Sequence, residues 1–272
     1  MKIPRLRILL CTGLACLVAL CAVVSAQEPN LSKEEMRQFL LFAKVVKSRQ
    51  TSKGVTRPSR LTLSDGKVTH DAAFQSVDEA KPVAELASGR KEFGFVDSYR
   101  YNLAAYGLAE LLGLDDMIPV TVERRWGGKK GSLSWWVNWK WDEQMRVKQK
   151  LEPPDPALWN QQIGRMRVFS QLVYDTDPNQ TNVLISEDWK VWIVDFTRAF
   201  RRSQDLENPN ILLRCDRQLL EKLRQLERST VEQKTARYLN KWEVDAVMAR
   251  RDKIVARFLK LIEERGEDKV LY

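Results

Sequence analysis

The sequence predicts an α+β fold in two lobes, a small β-rich N-terminal lobe with one main helix and a mostly helical C-terminal lobe. Three observations carry this. Arg60 to Gln75 reads as two strands around Ser64-Asp65-Gly66-Lys67, and Asp-Gly is a strong hairpin signal. Ser98 to Leu114 is the clearest helix, and two β-rich segments, Pro119 to Arg124 and Ser132 to Val137, follow it. Beyond about Arg214 the chain is helical in pattern, with starts near Cys215, Thr230 and Trp242.

The elements follow in order. Leu31 to Val46 reads as a helix: Ser32 is a plausible N-cap, Glu35 stands at capping-box spacing, and Phe39, Leu40, Ala43 and Val46 form an apolar stripe. Gln50 to Arg60 is a polar connector containing Gly and Pro. Asp78 to Gly94 reads as a loop. In the main helix Leu103, Tyr106, Leu108, Leu111 and Leu112 are apolar, and Gly113 marks its end. Trp126 to Gly131 joins the two following strands. It lacks the spacing of a phosphate-cradling G-x-x-x-x-G-K-[ST] loop, so a hairpin turn is the stronger reading. Asp142 to Lys150 is charged and ambiguous, and Pro153-Pro-Asp-Pro156 marks a boundary before a helix from about Ala157 to Val173.

Composition bounds the setting. Lys2, Arg5 and Arg7 precede the apolar run Ile8 to Val24, and Val24-Ser25-Ala26 resembles a cleavage site, so residues 1–26 read as a signal peptide for export. Uncleaved, the same run is the one segment expected to contact a membrane. The expected organisation is residues 1–26 as signal peptide, 27–140 as the N-terminal lobe with its leading helix, and 141–272 as the C-terminal lobe. Removing the first segment leaves 246 residues with a net charge of +6, because it holds three basic residues and no acids. Cys215 is then the only cysteine, which excludes an internal disulfide framework. The charges alternate in sign, as in Glu221 to Arg228, which suits solvated helix faces; no nucleic-acid partner is expected.

The chemistry-bearing stretch is Tyr174 to Ile185 followed by Val191 to Phe200. Val183 to Ile185 and Val191 to Val194 read as a short hairpin closed by Glu187-Asp-Trp-Lys190. In that register Val183 faces Val194 and Asn182 faces Asp195, and opposed residues lie about 5 Å apart at Cβ. An amide oxygen and a carboxylate then converge, with a second carboxylate, Asp177, five residues before Asn182. Oxygen ligands of this kind suit Mg²⁺ (or Mn²⁺) together with substrate phosphates. An Asp-rich turn is also an ordinary structural device, because Asx side chains cap turns.

The pattern D-x-x-x-x-N, a short hairpin, then an apolar strand ending in D-F resembles the catalytic core of the protein-kinase-like fold. Without His-Arg before the first Asp, it is most similar to the atypical branch of phosphatidylinositol 3/4-kinases, HipA-like kinases and secretory-pathway casein kinases. The resemblance implies an ATP- and Mg²⁺-dependent phosphotransferase in which Asp177 orients an acceptor hydroxyl while Asn182 and Asp195 bind metal. Asp97 to Leu114 with Ile118 to Glu123 is similar to the orienting helix and following strand of those kinases. Gly131 to Val137 resembles the strand that leads into their adenine-binding hinge, which makes Val137 a nucleotide-binding candidate.

There are departures. The resemblance puts Gln75 where a phosphate-holding Lys is expected and Asn102 where the helix Glu that orients it is expected; Thr197 replaces the glycine of D-F-G. An amide can donate to phosphate without the strength of an ammonium. Lys67, Lys81 or Lys91 are alternative ammonium sources, Glu110 an alternative acid, and Lys53-Gly54 a phosphate-facing loop by analogy. The matched loss of charge implies a second possibility, a catalytically weak pseudokinase that binds nucleotide or a partner. The acceptor class (protein, lipid or small molecule) is left open. Arg198 suits either phosphate steering or a salt bridge; His70 reads as a strand or surface residue, and Cys215 as a packed thiol. Trp135, Trp136, Trp139 and Trp141 read as core or cleft lining.

Overall fold

The computed structural model describes residues 30–51, 58–85, 89, 91–175 and 179–272; the expected signal peptide, Lys53-Gly54 and Asp177 lie outside them. Leu31–Tyr272 forms one structural unit. Helix α1 (Lys33–Phe42) begins at Ser32 and Glu35, whose side chains each accept from the other's backbone N–H, at 3.3 Å and 2.8 Å. It buries Phe39 and Leu40 and ends earlier than the apolar stripe suggests. Val45 and Val46 belong to strand β1 (Lys44–Gln50), as their β-branched side chains favour. The Arg124 guanidinium donates to the carbonyls of Leu40 and Ala43, both at 2.7 Å, and so satisfies acceptors the helix end leaves open.

Strands β2 (Ser59–Ser64) and β3 (Thr69–Gln75) form the hairpin expected at Asp65-Gly66, with Gly66 at φ +90°. The segment Asp78 to Gly94, expected as a loop, instead contributes to a two-stranded hairpin of β4 (Asp78–Glu85) and β5 (Lys91–Ser98). Its residues are mostly exposed and charged, so no alternating apolar pattern announces it. Helix α2 (Tyr99–Leu112) follows directly, N-capped by Ser98 and ended by Gly113 at φ +67°. It is buried on nearly all sides, with Leu103, Tyr106, Leu108 and Leu112 in the core. Strands β6 (Thr121–Trp126) and β7 (Lys129–Trp135) close through Gly127-Gly128, both at positive φ, a two-residue turn and not a phosphate loop.

These strands make an antiparallel sheet in the order β1-β2-β3-β7-β6. Leu61, Leu63, Ala72, Phe74 and Leu133 of this sheet share one buried cluster with α1 and α2. Edge strand β1 is rich in Lys, Arg and Gln and almost wholly exposed, a composition that discourages further strand pairing.

After residue 140 the chain is mainly helical. Strand β8 (Trp141–Asp142) leads into α3 (Glu143–Gln149), which resolves the ambiguous segment, and α4 (Pro156–Val173) starts with Asp155 as N-cap. Strands β9 (Val183–Ile185) and β10 (Val191–Ile193) complete a small sheet ordered β10-β9-β8. Helices α5 (Arg217–Gln225), α6 (Arg228–Thr235), α7 (Lys241–Arg265) and α8 (Glu267–Val270) follow, the first three starting within two residues of the expected points.

One register differs from expectation. Val183 pairs with Ile193, not Val194, and the Val194 N–H donates to the Asn182 carbonyl at 3.0 Å, so Asn182 does not sit opposite Asp195. The loop holds five residues because Ser186 closes on Lys190: Ser186 N–H donates to the Lys190 carbonyl at 3.0 Å and Lys190 N–H to Ser186 Oγ at 3.1 Å. Trp189 takes up the extra residue at φ +64°.

Candidate active-site cleft

A cleft of about 600 Å³ lies where the five-stranded sheet, the β4-β5 hairpin and the small sheet meet. Its walls include Gln75, Asn102, Val137, Asn182 and Asp195, so these five described candidates share one cavity despite the shifted hairpin register, while Lys67, Lys91, Glu110, His70 and Cys215 do not line it. A one-residue slip usually sends a strand residue to the opposite face. Here Asn182 ends a short 3₁₀ turn (Gln180–Asn182), and Asp195 stands two residues past the end of β10. Neither residue is therefore bound to the strand alternation. Asp195 adopts φ +64°, a left-handed conformation uncommon for a non-glycine residue and concentrated at functional sites.

Gln75 and Asn102 interlock. Asn102 Nδ2 donates to Gln75 Oε1 at 2.6 Å and to Ser132 Oγ at 3.1 Å, and Gln75 Nε2 donates to Asp195 Oδ1 at 3.1 Å. The Phe196 N–H donates to Asn102 Oδ1 at 2.7 Å, and the Thr197 hydroxyl donates to Asp195 Oδ1 at 3.0 Å. An uncharged relay thus runs from β7 through α2 and β3 to the D-F segment. Gln75 directs its amide nitrogen at Asp195 and not at open space.

Of the alternative ammonium groups, Lys81 lines the cleft, while Lys67 is exposed at the β2–β3 turn and Lys91 is exposed at the start of β5. Lys81 Nζ lies 2.8 Å from Glu79. Glu110 is engaged elsewhere, with Arg37 at 2.5 Å and Lys234 at 2.8 Å. Arg198 forms an ion pair with Glu92, which also holds Arg201 at 2.5 Å, and its guanidinium lies 4.9 Å from the Phe95 ring centre. Its cleft position therefore coexists with the salt-bridge role.

Trp135, Trp136, Val137 and Trp139 form the link from the large sheet to the small one and line the cleft. Arg60 stacks on Trp136 at 4.1 Å, and His70, on β3, stacks on Trp135 at 3.8 Å. Trp141 packs on Trp189 instead. The buried Cys215 lies far from this chemistry in the helical core, and burial pushes its thiol pKa up to about 12.

One wall residue had no sequence signal. Asp97, at the end of β5, is only 8% exposed, and its Oδ1 has no hydrogen-bond partner. Burial raises its pKa above the ordinary carboxylate range; the neighbouring Asp195 and Glu79 act in the same direction, opposed by a hydrogen bond from Thr197 and by Arg198. An acid immediately before a helix N-cap is an ordinary sequence feature, and only burial in the folded chain distinguishes Asp97.

Among the described residues no group of three His, Cys, Asp or Glu is placed to hold a metal by itself. A hard cation with one or two carboxylates, an amide oxygen and ligand phosphates does fit this donor set. The buried Asn182 Nδ2 likewise has no partner, leaving that side-chain amide uncommitted at its end. No helix among the described residues is long and apolar enough to cross a membrane.

No protein-family model matches the chain, and no curated protein matches it in sequence. Solved structures do match in fold. Fam20 from hydra, solved with sugar, superposes with a TM-score of 0.62 at 12% identity, covering 90% of this chain and 93% of that one. The Golgi casein kinase superposes at 0.59 and 12% identity, covering 88% and 77%, and was also solved with Mn/ADP bound. The Helicobacter pylori proinflammatory kinase CtkA superposes at 0.51 and 8% identity, covering 84% and 97%. The chain has the atypical kinase-like α+β fold.

Proposed function

We propose that the cleft binds ATP with Mg²⁺ or Mn²⁺ and that the protein transfers a phosphoryl group to a hydroxyl acceptor. The observation that carries this reading is the convergence of Asp195 and Asn182 with the Lys81 ammonium on one cleft. Asp195 is preorganised by Gln75 and Thr197 to present its carboxylate, and Asn182 supplies an amide oxygen from the wall of the same cleft. A divalent cation held there neutralises phosphate charge as it develops. Lys81 supplies the ammonium that Gln75 cannot, reaching phosphates from the hairpin. Val137 and the flanking tryptophans offer a flat, apolar seat for the adenine, and the hinge backbone offers it hydrogen bonds. Asp177 takes the role of orienting the acceptor hydroxyl. Export through residues 1–26 belongs to the same proposal.

The test is transfer of labelled γ-phosphate from Mg-ATP by the purified protein, either to itself or to an added hydroxyl-rich protein. Asp195→Ala and Asp177→Ala are expected to lower the rate at least about a hundredfold; unchanged rates in both refute the assignment.

A second reading rests on a different observation. The Gln75–Asn102 relay fills the place of the expected ion pair with neutral groups, which favours a pseudokinase that binds nucleotide without turning it over. Thermal stabilisation by Mg-ATP with no transferred label selects this reading, and measurable transfer removes it.

A further inference from the structure

The cleft contains one carboxylate that the kinase-like reading does not use. Asp97 is more than nine-tenths buried, lines the cavity, and leaves Oδ1 without a hydrogen bond. Its surroundings make this expensive. A buried carboxylate oxygen left without a hydrogen bond carries an uncompensated desolvation cost. Glu79 stands directly opposite Asp97 in the β4-β5 pairing, and Asp195 is the second acid nearby. Thr197 lies within hydrogen-bond reach of both Asp97 and Asp195, 3.0 Å from Asp195 Oδ1, and its single hydroxyl proton serves only one of the two carboxylates at a time.

The described cations nearby are already engaged with other acids. Lys81 is paired with Glu79, and Arg198 shares Glu92 with Arg201. The backbone nevertheless holds the two cleft carboxylates in fixed relation: Ser98 N–H donates to the Thr197 carbonyl at 2.8 Å, locking the residue after Asp97 to the segment that carries Asp195.

We propose that Asp97 is a ligand of the divalent cation in this cleft, holding a hard ion such as Mg²⁺ or Mn²⁺ against Asp195. Two carboxylates from different elements, one of them with an unused oxygen, give the oxygen-rich, doubly negative donor set such ions take. The ion also supplies positive charge on a wall where Gln75 and Asn102 provide none. This inference rests on the nucleotide-binding reading above but concerns metal affinity, which can be measured without nucleotide.

The experiment titrates the full chain with Mn²⁺ alone in metal-stripped buffer and follows free Mn²⁺ by electron paramagnetic resonance. Asp97→Asn is expected to weaken Mn²⁺ binding at least about tenfold, while its melting temperature in EDTA stays at or above that of wild type, since a like-charge contact is gone. Asp97→Ser serves if the Asn variant does not fold, with the same loss expected. Asp97→Glu, which keeps the charge but moves it by one methylene, is expected to bind Mn²⁺ with intermediate strength. If wild type is stabilised by Mg-ATP but Asp97→Asn (or Asp97→Ser) binds Mn²⁺ within twofold of it, the Asp97 assignment is overturned and the nucleotide reading stands. If wild type responds to neither Mn²⁺ nor Mg-ATP, both are overturned.

Discussion

Asn102 shows how much of the cleft rests on one neutral side chain. It is 5% exposed and bridges Gln75, Ser132 and the Phe196 N–H, so it ties strand, helix and D-F segment together. Asn102→Ala strands a buried backbone N–H and two side-chain partners. A loss of about 2–4 kcal/mol is expected in chemical denaturation, from one buried unsatisfied donor plus lost hydrogen bonds. Cys215 gives a second test. Its thiol is fully buried with its pKa pushed up to about 12, above the free-thiol value near 9. A group whose folded pKa is raised stabilises fully below its unfolded pKa and loses that contribution as pH rises through the folded one. The Cys215 contribution is thus intact below pH 9 and declines from there toward pH 12. At pH 8 a thiol reagent is expected to label Cys215 only as the protein unfolds; fast labelling of the native form contradicts this. Asn182 and Asp195 were legible in the sequence because an oxygen-bearing pair around a short hairpin is a local pattern. Asp97 was not, because its significance comes from burial beside a residue 98 positions away.

At the scale of elements, strand β7 depends on Gly131. A Cβ there meets the Gln75 carbonyl at 2.3 Å and the Phe74 ring at 2.7 Å, neither of which can yield without moving β3. Gly131→Ala is therefore expected to destabilise the protein by about 1–3 kcal/mol and to weaken Mg-ATP binding by displacing Gln75, with thermal shift reading both effects. Legibility also varied by element. The β2–β3 turn and helix α2 announced themselves through Asp65-Gly66 and through dense apolar spacing closed by Gly113. The β4-β5 hairpin did not: Asp78 to Glu85 is charged, mostly exposed and interrupted by Pro82, so it lacks the one-sided apolar face that reveals a strand. The slipped register of β9 and β10 had a side-chain cause. Ser186 recruits Lys190 into the loop, and a pattern of apolar residues alone does not show that bond.

Across the whole molecule, Arg250 links the helical region to the cleft. It is fully buried on α7, and burial lowers its pKa to about 10. Its guanidinium donates to the Leu172 carbonyl at 2.8 Å, the Arg201 carbonyl at 2.9 Å and the Ser203 carbonyl. One cation thus joins the end of α4 to the segment that follows Asp195. Arg250→Met fills similar volume but leaves three carbonyls unpaired, and a loss of about 3 kcal/mol is expected in denaturant midpoint measurements. Hydrogen exchange is expected to accelerate around residues 200–203 first; a uniform acceleration argues against the linking role. The neutral relay has a consequence at this scale too. An ion pair facing a solvent-filled cleft weakens as salt screens it, and a partner can break it by competing for either charge. Gln75, Asn102 and Ser132 offer no such handle. Their hold on Asp195 is expected to persist from low to molar salt. Release of the D-F segment then calls for displacement of α2 or β3, or for a cation that competes with Gln75 for the Asp195 carboxylate.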